Sequence, residues 1–267
     1  MKIYLLLLIL FFLMSSFQRQ VQYTQGLITN DSFLTGEVLT YRLHYGMITA
    51  GEAVVSVERD VKDVKGKKCY DFNIQGKTTG AFAAVMTIED QWQSYVDTNS
   101  LQPVQFSREI VENSYYLKET VDFEGGKANV TWSKRDEVKK YQDFKVPTDV
   151  HDIVSAYYFL RNIDYSNMKI GDRTTVEAFF EDKLYVFQVE YRGKDIVKTK
   201  SGKINAIRLI PVMPDNDLFE GNDSIHFWLS DDKNKIPLKV KAKMFVGAVE
   251  VDLKSFDGLR YDLNMAE

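Results

Sequence analysis

Hydrophobic and polar residues alternate with a period of two over most of the chain beyond residue 36. Leu39, Tyr41, Leu43, Tyr45 and Met47 are interleaved with Thr40, Arg42, His44 and Gly46, the pattern of a strand with one buried face. The same rhythm returns in Tyr70, Phe72 and Ile74, in Tyr185, Phe187, Val189 and Tyr191, and in Ile236, Leu238, Val240, Ala242 and Met244. Short polar or glycine-bearing connections separate these runs: Lys65-Gly66-Lys67, Gly125-Gly126, Glu181-Asp182-Lys183 and Arg192-Gly193-Lys194 are read as turns. Thr78 to Met86 reads as a short helical turn capping one end of the sheet, and Lys134 to Lys145 as a charged edge or loop.

One segment breaks the rhythm. Val150, Ile153, Val154, Tyr157 and Leu160 recur at steps of three and four, so they share one face of a helix. The spacing predicts this helix over about residues 149–163, with Thr148 or Asp149 as its cap after Pro147. Phe159 falls among the polar positions of the opposite side, so both sides are expected to be covered. Roughly 15 residues at about 1.5 Å each reach some 22 Å, enough to cross a small sheet.

No helix separates successive strands, so the sheet is expected to be antiparallel. About a dozen strands in one sheet must curl or split. The fold expected is therefore mainly β (α+β): a strongly curved antiparallel sheet or open β-barrel wrapped around one central helix. Residues 37–267 are read as a single β-barrel-like domain.

The first 17 residues change the picture. Lys2 precedes an unbroken apolar run from Ile3 to Met14, followed by Ser15 and Ser16. This is the pattern of a cleaved secretory signal peptide, and the run is short for a membrane span. Residues 18–36 are polar and patternless and read as a flexible arm. The chain is thus expected in the periplasm or cell envelope. The formal net charge is −4 over 267 residues, with both signs interspersed and no basic block, which argues against nucleic acid as a partner. Cys69 is the only cysteine, so no intrachain disulfide forms, and it reads as a small buried hydrophobe.

Catalytic signatures are missing: the chain has no HExxH, P-loop, GxGxxG or GxSxG. His151, Asp152 and Ser155 are close in sequence, but His151 and Asp152 point about 100° apart on a helix, and they are read as an ordinary helix surface. His44 on a polar strand face reads as solvated or hydrogen-bonded. Asp90 falls in register with an apolar face and is expected to pair with Arg108 on the next strand, with Glu119 also inward. Asp215, Asp217, Glu220 and Asp223 hint at calcium, but Leu218 and Phe219 interrupt the required spacing. No catalytic, cofactor or metal residues are assigned.

Three stretches carry a family resemblance: Gly36 to Val57, GEVLTYRLHYGMITAGEAVVSV; Asp149 to Asn162, DVHDIVSAYYFLRN; and Ser224 to Leu253. They resemble the exported bacterial family known as domain of unknown function 3108, across nearly all of the chain beyond the signal. The resemblance implies an envelope protein with a fold similar to the open barrel of periplasmic lipoprotein carriers. It carries over no catalytic residue.

Taken together, these features point to a non-enzymatic envelope protein that binds or carries an apolar ligand, a lipid or acyl chain, between sheet and helix. Tyr41, Tyr45, Trp92, Tyr157, Leu160 and Phe187 are the candidate lining residues. Against it stands the reading that these aromatics simply fill a solid core. Two alternatives stand beside it: a structural or protein-interaction module of the envelope, with an exposed apolar or charged edge and a protein partner, and a hydrolase of envelope glycans or lipids using Asp90 or an acid of the 215–223 loop.

Overall fold

The computed structural model describes residues 29–134, 140–212, 224–244 and 247–267. The signal segment, residues 18–28 of the arm and the acidic 215–223 loop lie outside the described residues. Before the first helix come β1 (Val38–Tyr45), β2 (Ile48–Val57), β3 (Lys62–Val64) and β4 (Lys67–Thr78). Helix α1 (Gly80–Val85) leads into β5 (Ile88–Asp97), β6 (Pro103–Glu112), β7 (Tyr115–Glu124), β8 (Lys127–Lys134) and β9 (Lys140–Lys145). Helix α2 (Ile153–Arg161) precedes β10 (Arg173–Phe180), β11 (Lys183–Thr199), β12 (Gly202–Val212), β13 (Ile225–Ser230), β14 (Pro237–Lys243) and β15 (Ala248–Asp257).

All fifteen strands belong to one sheet, and its strand pairs are antiparallel; most neighbours follow one another in the chain through short connections, the long-range exception being β1 with β15. Along the sheet the order runs β10 to β15, then β1, β2, β4 and on to β9, with β3 hanging from β4. Two meanders are thus joined through the pairing of β1 with β15. The ends of the order, β9 and β10, are not neighbours, so the sheet is not closed. The β10 edge is partly covered: His151 N–H donates to Glu177 O at 2.9 Å and Phe179 N–H to His151 O at 2.8 Å.

Several expectations need correction. The strand count exceeds a dozen because β3 and the charged edge strand β9 are too short or too polar to show alternation. Arg192-Gly193-Lys194 is not a turn: β11 runs through it as a single strand of 17 residues with a bulge between Tyr191 and Lys194. Gly193 takes φ +91° there, which a bulge accommodates in glycine without strain. The central helix spans only nine residues, and its cap is Asp152 rather than Thr148 or Asp149. Residues before it are held in backbone bonds to β10 and cannot coil. The arm is not loose throughout: Phe33 is fully buried and meets Tyr70, Phe72 and Tyr158 edge-on at 5.0–5.2 Å. A buried phenylalanine removes enough apolar surface to hold such a segment down.

Alternating positions of the strands supply one continuous core, including Leu39, Val55, Phe72, Trp92, Phe106 and Leu253. Helix α2 packs against β4, β5 and β10, and Tyr158 stacks on Phe72 with centroids 3.7 Å apart.

Candidate functional site

The site is built around α2, which is fixed at both ends. At its start, Asp152 accepts from Val154 N–H at 2.7 Å and Ser155 N–H at 2.9 Å, and Ser155 Oγ accepts from Asp152 N–H at 3.0 Å. This reciprocal cap satisfies donors that a helix leaves open. Ser94 on β5 donates its hydroxyl to the second carboxylate oxygen at 2.6 Å, tying the cap to the sheet. Burial pushes Asp152 up to about 6, against the pull of these hydrogen bonds. At the other end, Arg161 donates to both oxygens of Glu37 at 2.6 and 2.8 Å. Its remaining N–H groups reach Asn234 O at 3.0 Å and Ser32 O at 3.2 Å. Both partners are fully buried. One guanidinium therefore joins the helix, the N-terminal segment and the β13–β14 connection.

Between these anchors, seven of the nine helix residues are buried, and the two that are not are Tyr157 and Leu160. They stand three apart, hence on one face. Phe187 on β11, also half-buried, packs against the main core and against the second cluster around Phe159, Tyr191 and Leu209. Tyr41 is buried and its hydroxyl lies beside that of Tyr157 and near Arg161. Trp92 is buried against Phe180, ring centroids 5.6 Å apart. The Tyr158 hydroxyl and the Trp92 indole N–H have no hydrogen-bond partner among the described residues, whereas the Tyr41 and Tyr157 hydroxyls are partnered with each other. Tyr45 lies apart from this group, at the end of β1, half-buried. The structure therefore brings Tyr41 and Tyr157 together, sets Trp92, Leu160 and Phe187 around the same helix and sheet, and leaves Tyr45 at the rim. A separate open groove of about 210 Å³ lies beside the segment leading into α2, bordered by Lys65, Val104, Phe123, Lys127, Thr148 and Val150 among others, and none of the six candidates borders it.

The titratable groups are placed differently from expectation. Asp90 does not pair with Arg108. In the β5–β6 register Asp90 faces Ile110 whereas Arg108 faces Trp92, and on the other side Arg108 stands directly opposite Glu119. Directly opposed side chains meet first, so Arg108 pairs with Glu119 at 3.0 Å and with Glu181 at 3.2 Å. Burial opposes the Arg108 charge, but the two glutamates outweigh it and hold its pKa above the ordinary value. Asp90 is left with one bond, from Val111 N–H at 3.2 Å. Burial first, then the neighbouring Glu112 charge, push its carboxyl up to about 7.

His151 is not on a helix surface but fully buried just before the helix. Its Nδ1 lies 3.2 Å from Ser155 Oγ, and burial lowers its pKa to about 4. Ser155 Oγ is engaged in the cap, and Asp152 holds the cap and Ser94, so these three do not form a nucleophile–base–acid relay. His44, Glu250 and Asp252 converge closely enough for a metal. The carboxylates, however, are balanced by cations: Asp252 meets Lys239 at 3.4 Å and Arg42 at 3.6 Å, and Glu250 meets Lys241 at 2.9 Å and Lys239. His44 is hydrogen-bonded, as expected, rather than solvated.

The Arg161–Glu37 pair was not anticipated. Its partners are 124 residues apart, which no local pattern reveals. A weaker signal exists: Val154, Tyr158 and Arg161 fall at helical spacing, placing the arginine on a buried face.

A family profile described as "Protein of unknown function (DUF3108)" matches residues 40–254. No curated protein matches the chain. Among solved structures, a β-barrel-like protein of domain of unknown function DUF1849 from Brucella abortus is 13% identical, with a TM-score of 0.57 over 86% of this chain and 100% of that one. A protein with a YmcC-like fold from Bacteroides fragilis is 8% identical, with a TM-score of 0.35 over 85% of this chain and 97% of that one. The first likeness shows a barrel-like fold.

Proposed function

The chain belongs to the DUF3108 family of proteins of unknown function, and on that premise we propose that it is a non-enzymatic, exported envelope protein that holds an apolar ligand. The ligand is a lipid or acyl chain, seated between α2 and the strands it packs against, β4, β5 and β10. The observation that carries this reading is the Tyr157–Leu160 face, the only part of an otherwise buried and doubly anchored helix left accessible. Binding sites of this kind are mainly apolar, with a few polar groups that orient the ligand. The facing hydroxyls of Tyr41 and Tyr157 and the unpartnered Trp92 N–H supply those groups, since a buried donor without a partner is costly. Support for a binding role over a catalytic one comes from the commitment of Asp152, Ser155 and Arg108 to caps and ion pairs. Export is supported by the pattern of residues 1–17.

The test is uptake of a fluorescent fatty acid by the mature protein, with native mass spectrometry of the freshly isolated material. Saturable uptake is expected, weakened about tenfold or more by Leu160→Asp, which places a charge on the apolar face. Absence of both uptake and any lipid adduct overturns the reading.

A further inference from the structure

One end of the sheet carries apolar side chains that no other described residue covers. The β1–β2 turn presents Met47, 99% exposed, and Ile48, 55% exposed. Beside it stands α1, GAFAAV, in which no residue is buried and Val85 is 85% exposed. The two are joined: Thr79 N–H donates to Ala50 O at 3.0 Å. On the other side the β14–β15 turn is in close approach, since a Cβ on Gly247 would fall 2.5 Å from the Tyr45 hydroxyl. The β6–β7 turn adjoins too, through Asn113 N–H to Thr87 O at 2.8 Å. An apolar helix with no fully buried side chain, only Phe82 and Ala83 half-buried, gains little from the hydrophobic effect in the isolated chain. Its composition makes sense when something else covers it.

We propose that this end docks on the surface of a lipid bilayer. Polarity is graded along the strands as it is across a membrane interface. No charged residue occurs from Tyr45 to Gly51 or from Thr78 to Ile88. Half-buried Tyr45 and Tyr115 sit at the strand ends just behind the tips, and tyrosine suits the headgroup level. Behind them comes a charged belt, with exposed Lys77 opposite Glu52 and Glu89 and exposed Lys243 at the end of β14, a mixed polar zone suited to the headgroup level. The shape and size also favour a bilayer over a second copy of the chain. The apolar side chains are borne on separate convex tips, on the order of a few hundred Å² in total, short of the ~800 Å² per partner of a stable protein interface.

This docking deepens the ligand-holding reading, because a protein that exchanges an acyl chain with a membrane must meet it. The two are nevertheless separable by experiment. The mature full chain is floated with vesicles of phosphatidylethanolamine and phosphatidylglycerol, 3:1, and with pure phosphatidylcholine vesicles. An environment-sensitive fluorophore is placed on Met47→Cys or, at the opposite end, on Lys127→Cys; Cys69 is buried and stays unlabelled.

Flotation with the first vesicles is expected, together with a blue shift of the label at position 47 but not at 127. The Ile48→Asp/Val85→Asp variant is expected to lose at least tenfold in bound fraction with an unchanged melting curve, because both sites are exposed, and with fatty-acid uptake retained. Flotation by a protein that takes up no fatty acid would sustain the docking and sink only the ligand reading. The docking is overturned by absence of flotation on both vesicles, by flotation indifferent to the double variant, or by a shift at 127 instead of 47. A solution dimer that the double variant dissociates overturns it in favour of self-association.

Discussion

Asp90 gives the sharpest test of how the interior handles charge. It is 7% exposed, accepts one backbone bond from Val111, and has its carboxyl pushed from 3.8 up to about 7 by burial and by Glu112. The folded state therefore keeps a proton that the unfolded chain releases near pH 3.9. Between about pH 4 and pH 7 the folded protein binds more protons, so this group lowers stability as pH rises through that window, and its cost levels off above pH 7. Three pH units at about 1.4 kcal/mol each set an upper bound of ~4 kcal/mol; allowing for solvent screening leaves roughly 2–4 kcal/mol.

Asp90→Asn removes the charge and keeps an oxygen for the Val111 N–H. At pH 8 the variant is expected to be more stable than the wild type by roughly 2–4 kcal/mol, and at pH 5 by only about a third of that, roughly 1 kcal/mol. In urea titrations, with a slope of about 2–3 kcal/mol/M, the midpoint gain is on the order of 1 M at pH 8 and about a third of that at pH 5. A loss of stability at pH 8, or an equal gain at both pH values, would refute the reasoning and mean that the carboxylate has a partner in the fold.

Glu37→Gln should cost about 3–5 kcal/mol, because it strands the fully buried Arg161 charge; adding Arg161→Met should recover part of that loss, read as the coupling energy of a double-mutant cycle in urea. His151 has a pKa lowered to about 4 by burial, so it removes stability as pH falls from about 6.5 towards 4. His151→Gln should flatten that acid limb by up to about 3 kcal/mol, seen by comparing denaturation midpoints at pH 7 and pH 4.5. Gly51→Ala would set a Cβ 2.6 Å from Lys77 O, and the resulting parting of β2 from β4 should cost about 1–3 kcal/mol, measurable as a lowered Tm.

Much of the fold was legible in the chain itself. Period-two alternation marked the strands, and steps of three and four marked α2, because side-chain direction follows directly from backbone geometry at short range. The inward face of Asp90 and Glu119 was legible for the same reason. Which charge each would meet was not. That depended on register: Arg108 lies opposite Glu119, one alternate position away from the pairing expected with Asp90. The true length of α2 was hidden because residues 150–152 carry helical spacing, yet His151 among them is claimed by backbone bonds to β10.

Sequence alone thus determined the strand-rich class, the antiparallel sense, the single mid-chain helix and the apolar face it offers. Tertiary structure alone decided that β1 pairs with β15, that β9 and β10 stay apart, and that Arg161 finds Glu37 across the fold. The reason is one of range. Periodicity is a property of neighbouring residues, whereas pairing across a sheet depends on which distant segments can meet with all their buried polar groups satisfied, and no local spacing records that outcome.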